Sequence, residues 1–297
     1  MNADERDWLG QRFEEHRPHL RAVAYRMLGS LSEADDAVQE SWLRLARADA
    51  SGIENLGGWL TTVVARVSLD MLRARKARPE TTSKPVHVPE PIVSREDGVD
   101  PEHEALLADS VGLALLVVLE TLEPAERLAF VLHDMFAVPF DEIAPIVGRS
   151  STAARQLASR ARRRVQGAPI VPDPDLARQR RAVDAFLAAA REGDFEGLVA
   201  VLDPDVVLRA DAGALPRAPS RVLRGARAVA EGSLTYSRLA RAGHAALVNG
   251  AAGVVVIQRG RPFAVIGFTV ADDKIVEIDI LADRERLARV DLAALED

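Results

Sequence analysis

The chain of 297 residues contains no cysteine. That excludes disulfides, thiolate metal sites, iron–sulfur clusters, cysteine nucleophiles and thiol redox sensing. Long apolar runs are also missing: nothing approaches the roughly 18 uncharged apolar residues that a membrane-spanning helix needs. The opening segment MNADERDWLGQRFEEHR is charged from its fourth residue and lacks the apolar centre of a secretory signal. The expectation is a soluble, cytoplasmic protein with no membrane partner. The six histidines, His16, His19, His87, His103, His133 and His244, are too scattered to suggest a metal site. No Walker, Rossmann or nucleophile-elbow pattern occurs. Neither a metal nor a cofactor is expected, and the chain does not read as an enzyme.

What is present points elsewhere. The length suits two or three domains of roughly 100 to 200 residues or fewer. A net charge of −7 argues at first against a nucleic-acid partner, but the distribution reverses this. Residues 149–172 hold six arginines and no acid, residues 66–78 hold five basic residues against one Asp, and residues 35–40 are acidic. Of the 38 basic residues 35 are Arg, a skew that suits planar recognition of phosphates but follows equally from an Arg-rich genome.

Residues 5–78 read as helices. Ser32 to Asp35 has the form of a capping box opening a helix over 33–47, whose Val38, Trp42 and Leu45 make an apolar stripe. A second helix is expected over 59–76, with Thr62, Arg66, Leu69, Arg73 and Lys76 along one side. Residues 79–101, with Pro79, Pro85, Pro89, Pro91 and Pro101, read as an extended linker. Helices are then expected over 102–121, 124–135, 139–147 and 151–166. The last two, joined at Gly148, have the layout of a helix-turn-helix whose second member projects Ser151, Thr152, Arg155, Gln156, Ser159 and Arg160 outward. Beyond a second proline cluster, helices over 176–191 and 195–202 precede five strand-like runs. This predicts an α+β domain, residues 173–297, with one curved antiparallel sheet. Arg209, Asp211, His244 and Asp279 could face a cavity there, but no spacing among them defines a catalytic pair, which favours reading them as surface or salt-bridged residues.

Several of these segments resemble a known family. Asp35-Asp-Ala-Val-Gln39-Glu40-Ser-Trp42 is similar to the segment by which sigma factors engage the clamp helices of RNA polymerase. Trp59-Leu60 with Ala65-Arg66-Val-Ser-Leu-Asp-Met-Leu-Arg73 resembles their helix that reads the minus-ten element. Arg155-Gln-Leu-Ala-Ser-Arg-Ala-Arg162 resembles the minus-thirty-five recognition helix of one subgroup of extracytoplasmic-function (ECF) factors, the sigma J-like ones with a C-terminal SnoaL-like domain. Val88-Pro89-Glu90-Pro91 resembles that subgroup's Trp-Leu-Pro-Glu-Pro linker motif, with His87 where the motif has Trp. The segments starting at Asp211 and Asp283 stand where the subgroup has Asp-Gly-Gly-Gly and Asn-Pro-Asp-Lys-Leu.

The resemblance implies two all-α sigma domains, 5–78 and 102–167, followed by a SnoaL-like cone. Its implied partners are core RNA polymerase, through Asp35, Asp36, Gln39 and Glu40, and promoter DNA. The DNA contacts would come from Arg66, Arg73 and Lys76, and from Thr152, Arg155, Gln156, Ser159, Arg160 and Arg163. Arg suits guanine and Gln suits adenine, which favours Arg155, Gln156 and Ser159 for base contacts. Pro89, Glu90, Pro91, Asp211, Asp283 and Arg286 would connect the cone to the rest and regulate it, with room for a small-molecule ligand in the cone. Two other readings stay open: a SnoaL-like cyclase or hydrolase fused to a DNA-binding module, and a repressor independent of polymerase.

Overall fold

The described residues up to Ala77 build three helices, α1 (Ala3–Leu28), α2 (Leu31–Arg47) and α3 (Leu56–Ala77). The computed structural model describes residues 3–48, 52–77, 86–95, 112–166, 173–213, 220–235 and 241–290. Pro79, Pro85, Pro101, Pro169, Pro172 and the helix start expected at Glu102 lie outside these. Gly29, at φ +69°, ends α1, and Ser30 caps α2 through a hydrogen bond accepted from the Glu33 amide at 3.3 Å. The cap is therefore Ser30 rather than Ser32, because Leu31 and Ser32 are already inside the helix. Such a cap stabilises a helix by about 1 kcal/mol.

The second helical block comprises α4 (Leu113–Glu120), α5 (Pro124–Phe130, extended by a π-type turn over Val131–Met135), α6 (Phe140–Val147) and α7 (Ser151–Gln166). Pro124 at the start of α5 has no amide to leave unsatisfied, and Gly148 at φ +68° ends α6 as only glycine does readily. Helices α5, α6 and α7 and the end of α4 from Val118 cluster with α1–α3 into one compact unit, while α4 up to Val117 groups with the sheet. Buried Arg127 joins them: its Nε donates to the Arg26 carbonyl at 3.1 Å and its Nη1 to Glu120 at 2.8 Å. The sequence pattern shows two helical blocks separated by a proline-rich stretch and gives no sign of this contact. Two arginines buried among apolar helices have no signature in hydrophobic periodicity.

The second unit contains α8 (Leu176–Glu192), α9 (Phe195–Val201), α10 (Ala226–Thr235), α11 (Arg284–Leu287) and seven strands. The strands are β1 (Val93–Ser94), β2 (Leu202–Asp211), β3 (Arg221–Arg224), β4 (Gly243–Val248), β5 (Ala251–Gln258), β6 (Arg261–Ala271) and β7 (Lys274–Leu281), in spatial order β1-β4-β5-β6-β7-β2-β3. From β4 to β7 the sheet is the expected meander. Its three tight turns place Asn249-Gly250, Arg259-Gly260 and Asp272-Asp273 at positive φ, as two-residue hairpins require. The sheet is mixed rather than wholly antiparallel, because β2 pairs with β7 in parallel. Periodicity shows that both are strands but cannot show which one comes to lie beside the other.

One face of the sheet packs on α8 and α10 to form the core, with Val183, Phe186, Val229, Val254, Phe268 and Ile278 among its members. The linker reading needs correction at residues 86–95, which are packed rather than loose. Val86, Val88, Ile92 and Val93 are buried, and β1 hydrogen-bonds to β4 at the sheet edge. The prolines keep the segment extended, yet its residues from Val88 to Ser94 are all buried.

Candidate nucleic-acid interface

In α7, Ala154, Leu157, Ala158 and Ala161 face the helical core. This periodicity leaves Thr152, Arg155, Gln156, Ser159, Arg160 and Arg163 exposed, as the sequence predicts. Arg155 sits with its guanidinium over the Phe140 ring at 5.3 Å, which orients the fork on the outer side of the helix-turn-helix. Arg160 has a second role. Its Nε donates to Glu126 at 2.8 Å, and Arg164 donates to the other oxygen of the same carboxylate at 2.6 Å. The Glu126 side chain is only 6 % exposed, so this fork anchors α7 to α5.

On α3, Arg66 and Arg73 are exposed, and Lys76 is 61 % exposed while paired with Glu123 of the second block. Leu69, expected between them on the same side, is buried. On α2, Asp36 and Gln39 are exposed, Asp35 is held by Arg21 at 2.7 Å, and Glu40 by Arg44 at 2.9 Å. Exposed pairs of this kind contribute about 0 to 1 kcal/mol, so either carboxylate can exchange its partner cheaply. His19 of α1 lies 3.1 Å from the Thr61 hydroxyl and edge-on to Phe136. Burial, then the neighbouring His16 and Arg26, hold its pKa below the ordinary imidazole value.

The residues expected to connect the cone converge on one point of the second unit. Asp211, wholly buried, accepts from Arg286 Nη1 at 2.8 Å and from the Val88 amide at 3.2 Å through Oδ2, and from the Gly213 amide at 3.1 Å through Oδ1. The same guanidinium donates from Nη2 to the Val88 carbonyl and lies 3.9 Å from Glu90. Asp283 caps the short α11 that carries Arg286, accepting from the Glu285 and Arg286 amides. Pro89 and Pro91 are buried on either side of Glu90. Residues 86–92 thus form a strap held on the sheet by a latch of Asp211 and Arg286. The sequence missed its second fastening: Asn249, whose side chain accepts from the Ile92 amide at 3.1 Å and whose amide donates to the Ile92 carbonyl at 2.8 Å. Nothing local in the sequence says that this turn would also hold a distant segment.

The four candidates for a cavity do not share one site. His244 is exposed on β4. Arg209 and Asp279 are directly opposed in the β2–β7 register and bond at 3.1 Å, and Arg209 also donates to Glu277 at 2.9 Å. Two buried carboxylates share one cation there. Burial foremost raises Asp279 to a pKa of about 7; Arg209 opposes the shift and Glu277 adds to it. Because strand side chains alternate, Arg209, Asp211, Glu277 and Asp279 all point away from the face that carries Leu208, Ala210, Ile278 and Ile280. That other face bounds an apolar cavity of about 190 Å³, whose lining, among the described residues, includes no carboxylate and no imidazole.

Comparison with known proteins gives the class first. Residues 12–78 match the family model Sigma-70 region 2, and residues 112–165 match Sigma-70, region 4. The chain is 40 % identical over 288 residues to "ECF RNA polymerase sigma factor SigJ" of Mycobacterium tuberculosis, covering 92 % of this chain and 91 % of the relative. It is 38 % identical to "Probable ECF RNA polymerase sigma factor SigI" of the same species, over 69 % of this chain and 71 % of that one. The crystal structure of the M. tuberculosis SigJ protein superposes with a TM-score of 0.77 at 36 % identity, covering 95 % of this chain and 99 % of that chain. The chain belongs to the ECF RNA polymerase sigma factors.

Proposed function

We propose that this protein binds core RNA polymerase and directs initiation at a defined set of promoters, with its SnoaL-like cone acting as regulator and not as enzyme. One observation carries the first part: α7 presents Thr152, Arg155, Gln156, Ser159 and Arg163 on a single exposed face of a helix-turn-helix. Arg155, Gln156 and Ser159 read bases of the minus-thirty-five element, while Arg163 and the half-committed Arg160 contact phosphates. Residues 5–78 hold the polymerase through Asp35, Asp36, Gln39 and Glu40 and read the minus-ten element with Arg66, Arg73 and Lys76. Residues 102–167 carry the second recognition module. The net charge of −7 is compatible with this division of labour, since polymerase places both modules on DNA. The cone, residues 173–297, regulates through the strap at Pro89, Glu90 and Pro91, held by Asp211, Asp283 and Arg286. Its cavity supports a binding role, because acid–base work needs a titratable group where the substrate sits.

The test is run-off transcription with purified core polymerase, at one stated salt concentration, on DNA from upstream of this protein's own gene. A defined transcript should appear only when the protein is added, and Arg155→Ala should weaken promoter recognition by about 1 to 3 kcal/mol. Absence of both a transcript and a stable complex with core would overturn the reading. Regulation is tested in the same assay with Asn249→Ala, which loosens the strap; unchanged output would remove that part.

A further inference from the structure

The apolar cavity of the cone has a composition that selects a ligand class. Its walls come from Phe186 of α8, Leu208 of β2, Val254 and Val256 of β5, Phe268 of β6 and Ile278 of β7. Its volume of about 190 Å³ compares with about 150 Å³ for an apolar protein cavity that takes up benzene. Among the described residues, the polar side chains that reach it are Arg221, Ser233 and Arg284. Arg284 is exposed and Arg221 half-buried, and Phe263 beside them is 37 % exposed, so the cavity opens to solvent at its cationic end. A Cβ placed on Gly232, itself part of the wall, would lie 3.7 Å from Arg221 Nη2, which puts the guanidinium at the rim. The Ser233 hydroxyl gives its proton to the Val229 carbonyl at 2.8 Å, leaving its oxygen as an acceptor only.

We propose that this cavity binds a small apolar carboxylate, a single ring or a medium acyl chain with its acid group at Arg221 and Arg284, and that occupancy is transmitted to the strap. A dry wall with cations only at the mouth favours one buried apolar body with one anionic end. The route to the strap is short. Ala212 and Ala282 line the cavity, and Ala282 donates its amide to the Asp211 carbonyl at 2.7 Å. Asp211 and Asp283, the chain neighbours of these two alanines, are respectively the latch carboxylate and the cap of the helix that carries Arg286. A ligand that moves the ends of β2 and β7 therefore moves the groups that grip Val88. This inference rests on reading the cone as a regulator.

The experiment uses the full-length protein with 4-fluorobenzoate and octanoate as probes, and 4-fluorobenzyl alcohol and octan-1-ol as their neutral counterparts. Calorimetry and ligand fluorine resonance should show saturable binding of the carboxylates at one site per chain. Arg221→Gln, at a half-exposed position, should weaken the carboxylates about tenfold while leaving the alcohols unchanged. Ala264→Phe, directed into the cavity, should abolish binding of all four. Hydrogen exchange over residues 86–92 should change when the carboxylate site is filled. No saturable binding at millimolar probe, or full binding to Ala264→Phe with its fold confirmed by circular dichroism, would overturn the site; binding without an exchange change would overturn the transmission. Run-off transcription without any probe is scored separately. If it fails while binding holds, the sigma reading falls and the site stands; if it succeeds and no probe binds, only the site falls.

Discussion

Asp211 and Asp279 are buried carboxylates on neighbouring strands, and their partners set them apart. Asp211 bonds Arg286 at 2.8 Å together with backbone amides, with Glu90 farther off at 3.9 Å from the same guanidinium, whereas Asp279 and Glu277 both bond Arg209, at 3.1 and 2.9 Å. Removing the Arg286 cation would leave Asp211 charged, buried and underpaired. Arg286→Ala should destabilise the cone by about 3 kcal/mol, read by urea unfolding, and the Val88 amide should lose hydrogen-exchange protection. For Asp279 the sign is opposite to that of an ordinary paired carboxylate. Its pKa of about 7 in the fold lies above the 3.8 of a free aspartate, so between these values the native state holds a proton that the unfolded chain has released. Stability should fall as pH rises through that window, by at most about 1.4 kcal/mol per pH unit. Asp279→Asn should flatten this slope in thermal melts taken across it; an unchanged slope would show that Asp279 titrates normally. The sequence favours reading both aspartates as surface or salt-bridged, and both are ion-paired. Which face of the sheet they occupy could be read only from the register, because strand alternation assigns a face only once the register is known.

At the scale of elements, α1 carries a pH-sensitive contact within the helical unit. His19 packs its ring edge-on to Phe136 and against the Thr61 hydroxyl, with His16 and Arg26 as neighbours, and its pKa is depressed. Below the ordinary value of 6.5 the unfolded chain takes up a proton before the native state does. Helical-unit stability should therefore be complete above about pH 6.5 and decline with acidification. His19→Gln, which can still bond Thr61, should remove that decline in a denaturant series at falling pH. The two-residue strand β1 depends on Asn249, which stands at φ +51° while serving Ile92. Asn249→Ala should cost about 1 to 3 kcal/mol, because the buried Ile92 amide loses its acceptor, and should raise amide exchange along residues 92–94. Strands β4 to β7 and the helix-turn-helix were legible from alternation and turn residues. Strands β1 and β3, two and four residues long, were not, being too short to carry a period.

For the whole molecule, the strap changes what a truncation means. A chain ending at residue 172 would keep residues 86–95 but lose the sheet that covers Val86, Val88, Ile92 and Val93. Such a truncation should aggregate or be cleaved by protease within this segment, and Val88→Ser with Ile92→Ser should restore solubility. A truncated chain as soluble and protease-resistant as the full one would show that the strap needs no cover.

The sequence by itself determined the helical blocks, the outward face of α7, the class of the third domain and the residues worth watching in it, because periodicity, turn chemistry and charge runs are local properties. Even the latch was legible as a set of names: Pro89, Glu90, Pro91, Asp211, Asp283 and Arg286 came from likeness to a family pattern. Only the tertiary structure decided that these six meet, that Asn249 fastens the strap beside them, that β2 runs parallel to β7, and that the cone's ionic groups lie on the face opposite its cavity. Each depends on which strand lies next to which and in what register. That choice is made by burial summed over the whole sheet, and no short stretch of sequence contains it.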